Sequence, residues 1–512
     1  MTEFELKFEI PPAQLKSVAV AVLQGKAKRQ RLQASYFDTP DGALARHGII
    51  VRLRKDGRRW VQTAKGPTAD LLERLEHNVA LSSRSAGAAP PLDLARHRGT
   101  PVGRAIDKAL GLKAIDKALG IKDSEQKDSD NYPDLALLYS TDVQRMTCVL
   151  TVGGSLVEVA LDQGRVFANS HSQPICELEV ELKDGTPLDA VALAQQWRGD
   201  HGLWMSTIAK SMKGQRLGQA VPYGAATSAV APTFARQASG QKIVAAVVAA
   251  CLGQILPNMS ELAAGSYQSD HVHQLRVGIR RLRTALRELG DLAGAAEVAF
   301  PQWEAALVGA FRALGEHRDR SNLALVLQPQ LLAAGGPAMR LGAAESNLAD
   351  VGQTVRAADF QEALLGLLGF VHSEVTESAN KPDALKKAVS IRLDKLYKRA
   401  LKDGKKFLTL GQEQQHGVRK RLKRLRYLIE FAEPLFTARK VDRMAKALKP
   451  VQDALGLYND ELMALHTCQA LAASDPQAWF GVGWLAARKQ ANAKRCLKEI
   501  KTFAAIKPFW RD

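Results

Sequence analysis

The sequence predicts an α+β domain built on a closed antiparallel β-barrel, followed by an all-α domain of two related helical bundles. The barrel is predicted by apolar residues that alternate with polar ones at a period of two up to about residue 215, as in Phe4, Leu6 and Phe8. The helical domain is predicted by apolar residues that recur at helical spacing beyond residue 236. A Gly-, Ala- and Pro-rich stretch separates the two patterns. The predicted domains are therefore 1–215 and 237–512, with 216–236 as a linker.

The composition is that of a globular chain with an unusual charge. Its 512 residues are too many for a single hydrophobic core, and 71 Lys and Arg against 53 Asp and Glu give a net charge of +18. This excess favours a polyanionic partner, which could be nucleic acid, an anionic membrane surface or a phosphate polymer. The five cysteines are widely spaced and form no CxxC pair, which argues against a disulfide framework or a zinc site and fits a reducing compartment.

No targeting signal is visible in the sequence. The N-terminus lacks the basic region of a signal peptide. The longest apolar run, 243–253, is shorter than the ~18 residues that a membrane span requires, so it predicts a buried helix. We therefore expect a cytoplasmic protein with no membrane partner.

Two features interrupt the strands of the first domain. Helices are expected near residues 12–24 and 187–200. Residues 82–131 form a polar insertion, in which the nonamer 105–113 is followed at once by its near copy 114–122. A single repeat pair is too short for a solenoid, so we interpret it as a tandem duplication within a helical surface excursion.

Several predicted strands carry charged residues on one face and apolar residues on the other. Glu3, Glu5 and Lys7 share a face of the first strand because alternate side chains point to the same side. A solvated sheet face would explain a single run of this kind. Charges of both signs recur in most strands, however, and this favours a closed barrel with a charged interior. The other runs are Arg52 with Arg54, Arg74 with Glu76, Glu158 with Asp162, and Glu177 with Glu179 and Glu181.

The mixture of charges suggests a chemistry. Arg and Lys bind phosphoryl oxygens, whereas carboxylates alone would repel a phosphate chain. Carboxylates do hold Mg²⁺ or Mn²⁺, and such an ion can bridge them to phosphate and activate a water molecule. The sequence contains no P-loop, which argues against a Walker-type nucleotide site.

The first half resembles the CYTH superfamily of triphosphate tunnel metalloenzymes over residues 1–215. The resemblance is carried by Glu3-Phe-Glu-Leu-Lys7, Tyr36-Phe-Asp-Thr-Pro40, Arg52-Leu-Arg54, Lys65, Arg74-Leu-Glu76, Ser140-Thr-Asp142 with Arg145, Glu158-Val-Ala-Leu-Asp162, Cys176-Glu-Leu-Glu-Val-Glu181 and Lys210. Members of this superfamily cleave inorganic triphosphate, thiamine triphosphate or RNA 5′-triphosphates, or form cyclic AMP. A tunnel joined to a second domain of this kind is most similar to bacterial inorganic triphosphatases.

The resemblance also implies roles for individual residues. The implied ligands of Mg²⁺ or Mn²⁺ are Glu3, Glu5, Glu179 and Glu181. The implied phosphate ligands are Lys7, Arg52, Arg54, Lys65, Arg74, Arg145 and Lys210. The implied catalytic residues, which would orient water or support the ligands, are Glu76, Glu158, Asp162 and Glu177.

The second half contains an internal repeat of basic helices. Basic residues at offsets of 3, 4 and 7 lie along one stripe of a helix. The two copies are His273, Arg276, Arg280, Arg281 and Arg283, and His416, Arg419, Lys420, Lys423, Arg424 and Arg426; a further stripe contains Arg392, Lys395 and Arg399. A solvated face would explain one such helix, but it would also carry acidic residues, and none occurs from 273 to 287 or from 416 to 428. We therefore expect these residues to bind a polyanion, with both histidines as phosphate donors rather than metal ligands.

This half resembles the CHAD domain, the conserved histidine α-helical domain, over nearly its whole length. The resemblance rests on the two basic helices and on the segments that begin at Leu314-Gly315 and Leu455-Gly456. It implies binding of inorganic polyphosphate and location at polyphosphate granules. Aromatic residues are sparse in these helices, which disfavours single-stranded nucleic acid as the partner because its bases stack on aromatic side chains.

Two functions follow as hypotheses. The first is a metal-dependent inorganic triphosphatase that releases phosphate and pyrophosphate and carries a polyphosphate-binding domain. The alternative is a non-enzymatic binding protein of polyphosphate granules with a vestigial tunnel. The populated acidic and basic tunnel positions favour the first.

Overall fold

The structure is a computed structural model. It describes residues 2–57, 59–68, 70, 72–81, 89–112, 132–339, 350–374 and 382–511. The second nonamer and about half of the predicted polar insertion lie outside the described residues.

The first part of the chain forms a closed antiparallel β-barrel, which confirms the predicted fold. The strands are β1 (Thr2–Glu9), β2 (Lys28–Asp38), β3 (Ile50–Asp56), β4 (Arg59–Pro67), β5 (Glu73–Leu81), β6 (Ala136–Val152), β7 (Ser155–Ala168), β8 (His171–Asp184) and β9 (Trp204–Met205). Their order is β5-β4-β3-β2-β6-β7-β8-β1-β9, and β1 also pairs with β5. That pairing closes eight strands into a barrel, while the short β9 adds to β1.

Five α-helices accompany the barrel among the described residues. They are α1 (Leu15–Gln24), α2 (Ala43–Arg46), α3 (Pro101–Ala109), α4 (Pro187–His201) and α5 (Lys210–Gln219). The positions of α1 and α4 match the helices expected near 12–24 and 187–200. Helix α4 begins where the Thr186 hydroxyl accepts the N–H of Leu188, and it ends at Gly202, whose φ of 59° is costly for other residues.

Apolar side chains cover the outer face of the barrel over β1, β3 and β4. Phe4, Leu6 and Phe8 on β1 are at most 6% exposed. A second cluster lies over β3 and β4, where Val51 and Ala64 pack with Val102 and Ile106 of α3. Burial of this outer face is what leaves the charged residues of the same strands pointing inward, since side chains alternate along a strand.

The second part of the chain is all-α among the described residues, as predicted. Its helices are α6 (Gly240–Ala264), α7 (Ser269–Leu289), α8 (Phe300–Asn322), α9 (Gln328–Ala333), α10 (Val351–Arg356), α11 (Ala358–Val371), α12 (Pro382–Gly404), α13 (Gln412–Ala432), α14 (Ala438–Leu471) and α15 (Ala478–Ala504). The two repeated basic helices are α7 and α13, and they pack against each other. Helix α7 also packs on α8, and α13 on α14.

The boundary between the two parts differs slightly from the predicted linker. Helix α5 runs to Gln219, so it includes the first residues of the segment assigned as linker. Residues 220–239 contain neither helix nor strand. By internal contacts, 1–225 and 259–267 form one compact unit, and 226–258 and 268–512 form the other.

One described helix, α6, is long and apolar enough to cross a membrane by length and composition alone. Its most apolar window has a mean hydropathy of 1.7, and 67% of that window is buried within the protein. The helix also carries polar side chains with protein partners: Asn258 bonds to the backbone of Thr227, and Glu261 pairs with Arg216. These features favour the buried core helix that the sequence predicted.

Candidate active site and anion-binding cavity

The cross-strand register gathers charged side chains inside the barrel. Glu5 lies opposite Glu181, and Lys7 lies opposite Glu179. Residues directly opposite each other on antiparallel strands point to the same face. The same rule places Lys65 beside Glu76. The interior is therefore lined by both carboxylates and basic groups, as the sequence predicted.

Three carboxylates come together at one place in this interior. Oxygen atoms of Asp162, Glu177 and Glu179 all lie within 4.8 Å of one another. The ammonium of Lys210, the first residue of α5, lies 2.6 Å from Asp162 and 2.5 Å from each glutamate. Burial alone would lower the pKa of Lys210, but these three carboxylates outweigh it and raise that pKa well above its usual value.

Arg145 approaches the same carboxylates from β6. Its Nε and Nη2 bind both oxygens of Asp162, at 2.7 and 2.6 Å, and Nη2 also contacts Glu179. A planar guanidinium that binds a carboxylate through two parallel bonds is held in one orientation. Arg145 therefore fixes the position of Asp162.

A second group surrounds Lys65. Its ammonium contacts Glu3 and lies 3.0 Å from Glu76. Burial raises the pKa of Glu3 to about 8, while hydrogen bonds from Glu3 and Lys65 overcome the effect of burial on Glu76 and lower its pKa to about 2. Burial and the neighbouring Glu179 raise the pKa of Glu5 to about 7.

Two arginines on β3, Arg52 and Arg54, also face the interior of the barrel. The Nε atoms of Arg52 and Arg54 are buried and have no hydrogen-bond partner among the described residues. The charge of Arg52, and then burial, lower the pKa of Arg54 to about 10. Two guanidiniums whose buried Nε donors are unused favour an anionic ligand between them.

The structure groups the carboxylates differently from the predicted metal ligands. Of the four predicted ligands, Glu179 belongs to the three-carboxylate cluster, and its two partners there are Asp162 and Glu177. Glu181 instead pairs with Lys183, as does Glu158. The sequence shows that these residues share the inner face of their strands. Which carboxylates come into contact is determined by the register between neighbouring strands.

Two further predicted residues have protein partners or neighbours inside the barrel. The ammonium of Lys7 donates to the carbonyl of Ile208 and lies 3.8 Å from Glu177, so it anchors the segment that precedes α5. Arg74 lies opposite Glu3 on the neighbouring strand.

Sequence reasoning missed Lys213 and Glu9. Lys213 lies 2.9 Å from Glu9 and 3.2 Å from Glu177. A signal was present, because Lys213 follows Lys210 by three residues on α5 and so shares its face. Glu9 continues the alternation of Glu3, Glu5 and Lys7.

The helical part contains a cavity of about 990 Å³ with a basic wall. The wall is formed by α7 and α13, the two repeated helices. The predicted polyphosphate ligands that line it are Arg276, Arg280, Arg283, His416, Arg419, Lys420, Lys423 and Arg424. The ring of His416 lies 3.1 Å from the side-chain oxygen of Asn459, and burial and the nearby cationic side chains lower its pKa despite this bond.

The remaining predicted ligands do not line this cavity; they are His273, Arg281, Arg392, Lys395, Arg399 and Arg426. Arg281 is a correction: its side chain is 1% exposed and donates to Gln254 and to the carbonyl of Val230. Arg281 is adjacent to Arg280, so it lies about 100° further around the helix and faces the core. Its two terminal nitrogens donate to the protein, and the side chain is inaccessible to a polymer.

Comparisons with known proteins match two families in succession. The CYTH domain family matches residues 1–210, and the CHAD domain family matches residues 246–469. An inorganic triphosphatase from Haemophilus influenzae is 26% identical over 228 residues, which are 43% of this chain and 55% of that protein. The chain thus matches about half the length of this curated relative. An uncharacterized protein from Mycobacterium tuberculosis is 25% identical over 98% of this chain and 95% of its own length.

Solved structures resemble each part separately. A CHAD domain from the plant Ricinus communis has 25% identity and a TM-score of 0.45, and the match covers 56% of this chain and 98% of that one. A putative adenylyl cyclase from Hippeastrum, described as having a dominant triphosphatase activity, has 15% identity and a TM-score of 0.28, with 41% of this chain and 93% of that one covered.

Proposed function

This chain joins an N-terminal CYTH domain to a C-terminal CHAD domain, and on that basis we propose that it is a metal-dependent inorganic triphosphatase with a polyphosphate-binding domain. The barrel would hydrolyse triphosphate to phosphate and pyrophosphate. The helical domain would bind inorganic polyphosphate. We also propose that the protein works in the cytoplasm, at polyphosphate granules.

One observation carries the proposal for the barrel. A cluster of three carboxylates, of which Asp162 and Glu177 are buried, and two arginines whose buried Nε atoms lack partners among the described residues line the same closed interior. Carboxylates alone would repel triphosphate, and arginines alone would not need so many acidic neighbours. Both kinds of group are required when an anion and a cation bind together.

The carboxylate cluster fits a hard divalent cation. Mg²⁺ and Mn²⁺ prefer oxygen ligands, and Asp162, Glu177 and Glu179 offer oxygen atoms close enough to share one ion. Glu5 on the adjacent β1 acts electrostatically on Glu179 and extends this set. A bound ion would neutralise charge on the phosphate and make a water molecule a better nucleophile.

The side chains of the barrel have distinct tasks in this proposal. Arg52 and Arg54 bind phosphoryl oxygens through their free donors. Arg145 and Lys210 hold the carboxylates in place when no ion is bound. Water attacks the terminal phosphorus and pyrophosphate leaves, so no covalent intermediate with the protein is needed.

A substrate panel tests the enzymatic proposal. Phosphate release would be measured with triphosphate, long-chain polyphosphate, thiamine triphosphate and ATP, each with Mg²⁺ or Mn²⁺ and each with EDTA. We expect triphosphate to be the best substrate and EDTA to abolish its turnover. Asp162→Asn should reduce turnover at least a hundredfold, because it removes a charged oxygen from the cluster. The matched control is Asp142→Asn, whose carboxylate lies on the outer face and binds Arg31.

Two results would overturn this assignment. Full metal-dependent turnover in Asp162→Asn protein would show that the cluster is not the site. Negligible turnover on every substrate would favour a polyphosphate-binding protein with a vestigial tunnel.

The binding proposal for the helical domain has its own test. Long-chain polyphosphate should compete with duplex DNA for the protein at fixed salt, and it should win at equal phosphate concentration. Both affinities should fall as salt rises, so the comparison must be made at one ionic strength. Stronger binding of DNA would make nucleic acid the partner.

A further inference from the structure

The repeated segment that begins at Leu314-Gly315 has no part in the proposed chemistry, yet it contacts the basic wall of the cavity. We propose that Phe311 and Gly315 on α8 form a seat that holds the guanidiniums of Arg276 and Arg280 toward the ligand. Phe311 and Gly315 are thus positioning residues for anion recognition. This inference rests on the proposed binding of polyphosphate by the helical domain.

The ring of Phe311 provides one half of the seat. The guanidinium carbon of Arg276 lies 4.3 Å from the ring centroid, and that of Arg280 lies 5.5 Å from it. Two like charges on one helix, four residues apart, repel each other. The negative face of an aromatic ring attracts both and offsets part of that repulsion.

The backbone of α8 provides the other half. Arg276 donates from Nη1 to the carbonyl oxygen of Phe311. In an α-helix that carbonyl also accepts the N–H of the residue four positions later, which is Gly315. A helix carbonyl is normally screened by the side chain of that later residue. Glycine at 315 therefore exposes the second lone pair of the Phe311 oxygen to Arg276.

The guanidinium of Arg276 occupies the space that a side chain at position 315 would need. A Cβ atom at this position would lie 2.5 Å from Nη1 of Arg276 and 3.3 Å from the guanidinium carbon. Such an atom would push the guanidinium off the carbonyl. The corresponding residue of the second copy, Gly456, has open space around its Cβ position. The requirement for glycine is therefore specific to the first copy.

The orientation of the two guanidiniums affects anion binding because both arginines line the cavity. Arg276 is 7% exposed and Phe311 also lines the cavity, so the seat lies at its wall. The Nε atom of Arg280 is buried without a hydrogen-bond partner among the described residues. A guanidinium fixed in one plane can bind phosphate through two parallel bonds, whereas a displaced one acts only as a diffuse charge.

The test is a double-mutant cycle on the full chain, read out as the affinity for fluorescently labelled long-chain polyphosphate at fixed salt. Gly315→Ala and Phe311→Leu should each weaken binding about tenfold, and Phe311→Tyr, which keeps the ring face, should restore most of it. In the Arg276→Ala background, Gly315→Ala should have no further effect, because the group it displaces is gone. A merely structural role for Gly315 would cost affinity in both backgrounds.

Two alanine substitutions serve as matched controls. Gly309 lies on α8 itself and Gly456 in the second copy, and both have open space at the Cβ position. Gly309→Ala and Gly456→Ala should leave affinity within twofold of the wild type, and thermal unfolding should show that every variant is folded. Loss of binding in Arg276→Ala with unchanged binding in Gly315→Ala and Phe311→Leu would overturn this inference alone. A wild-type protein that does not bind polyphosphate would overturn the proposed ligand and the seat together.

Discussion

The ammonium of Lys210 lies 2.6 Å from the carboxylate of Asp162, at the centre of a cluster in which a divalent cation would also fit. In the proposed site, a bound metal ion would therefore compensate the same carboxylate charge that Lys210 compensates in its absence. With neither partner, this cluster of two buried carboxylates and one half-buried carboxylate would be costly, because the removal of one member of a buried ion pair typically destabilises a protein by about 3–5 kcal/mol.

Lys210→Met should make the stability of the barrel depend on metal. Without metal the variant should unfold at a markedly lower temperature than the wild type, and Mg²⁺ should raise its midpoint more than it raises that of the wild type. Thermal unfolding in EDTA and in Mg²⁺ measures both effects. Lys183→Met is the control, since Lys183 is 38% exposed and pairs with Glu158 and Glu181 away from the cluster. Equal metal responses in both variants would show that the cluster does not bind the ion.

Arg54→Ala should weaken the binding of triphosphate without lowering the stability of the protein. Arg54 lies beside Arg52 in a buried interior, and their mutual repulsion contributes to the lowered pKa of Arg54. Its removal should raise the KM for triphosphate at least tenfold, while the unfolding midpoint stays the same or rises, as is common where a binding site stores unfavourable contacts. Steady-state kinetics and thermal unfolding measure the two quantities.

The neighbouring Lys55 provides the control for this prediction. It lies on the same strand but faces outward over the ring of Trp60. Lys55→Ala should leave KM unchanged. A similar rise in KM for both variants would mean that overall charge, rather than a site inside the barrel, attracts the substrate.

Metal-free protein should lose stability as the pH rises from about 4.5 to 8. Burial raises the pKa of Glu3 to about 8 from its usual value near 4.5, so the folded protein binds this proton more tightly than the unfolded chain. The contribution to stability is present below pH 4.5 and is lost as the pH passes through the folded pKa. Glu76, with a pKa of about 2, titrates below this window.

Urea unfolding in EDTA at several pH values tests this prediction. The decline should be clearly shallower in Glu3→Gln protein, which cannot ionise at this position. The control is Asp142→Asn, which should keep the wild-type slope because Asp142 lies on the outer face. If the stability of Glu3→Gln protein and of the wild type falls equally steeply with pH, Glu3 is not the cause of the decline.

The inward face of the barrel was predictable because alternation along a strand is a local property. Glu177, Glu179 and Glu181 must share a face whatever the rest of the chain does. Which carboxylates meet was not predictable, because it depends on the stagger between strands: Asp162 lies opposite Glu177, whereas Glu158 lies opposite Glu181. Register is a property of the closed barrel and leaves no trace in the sequence of a single strand.

The helical domain shows the same division between local and tertiary information. The repeat predicted two basic stripes, and helical spacing correctly grouped Arg276, Arg280 and Arg283 along one wall of the cavity. Charge alone could not reveal that Arg281 faces the core. The stripe of Arg392, Lys395 and Arg399 lies on α12, away from that wall, and periodicity does not show which helices pack together.

Arg419 and Arg399 should differ in their contribution to polyphosphate binding, although the sequence assigned both to it. The side chain of Arg419 is 14% exposed and lines the cavity, whereas Arg399 is exposed on α12 outside it. Arg419→Ala should lower the affinity for long-chain polyphosphate about tenfold, because a charge-assisted bond contributes roughly 1.5–3 kcal/mol. It should also reduce the slope of log affinity against log salt by about one, since one phosphate contact disappears. Arg399→Ala removes the same charge and should change affinity by less than twofold. If both variants lose affinity equally, the polymer binds through the net charge of the surface, and the cavity is not its site.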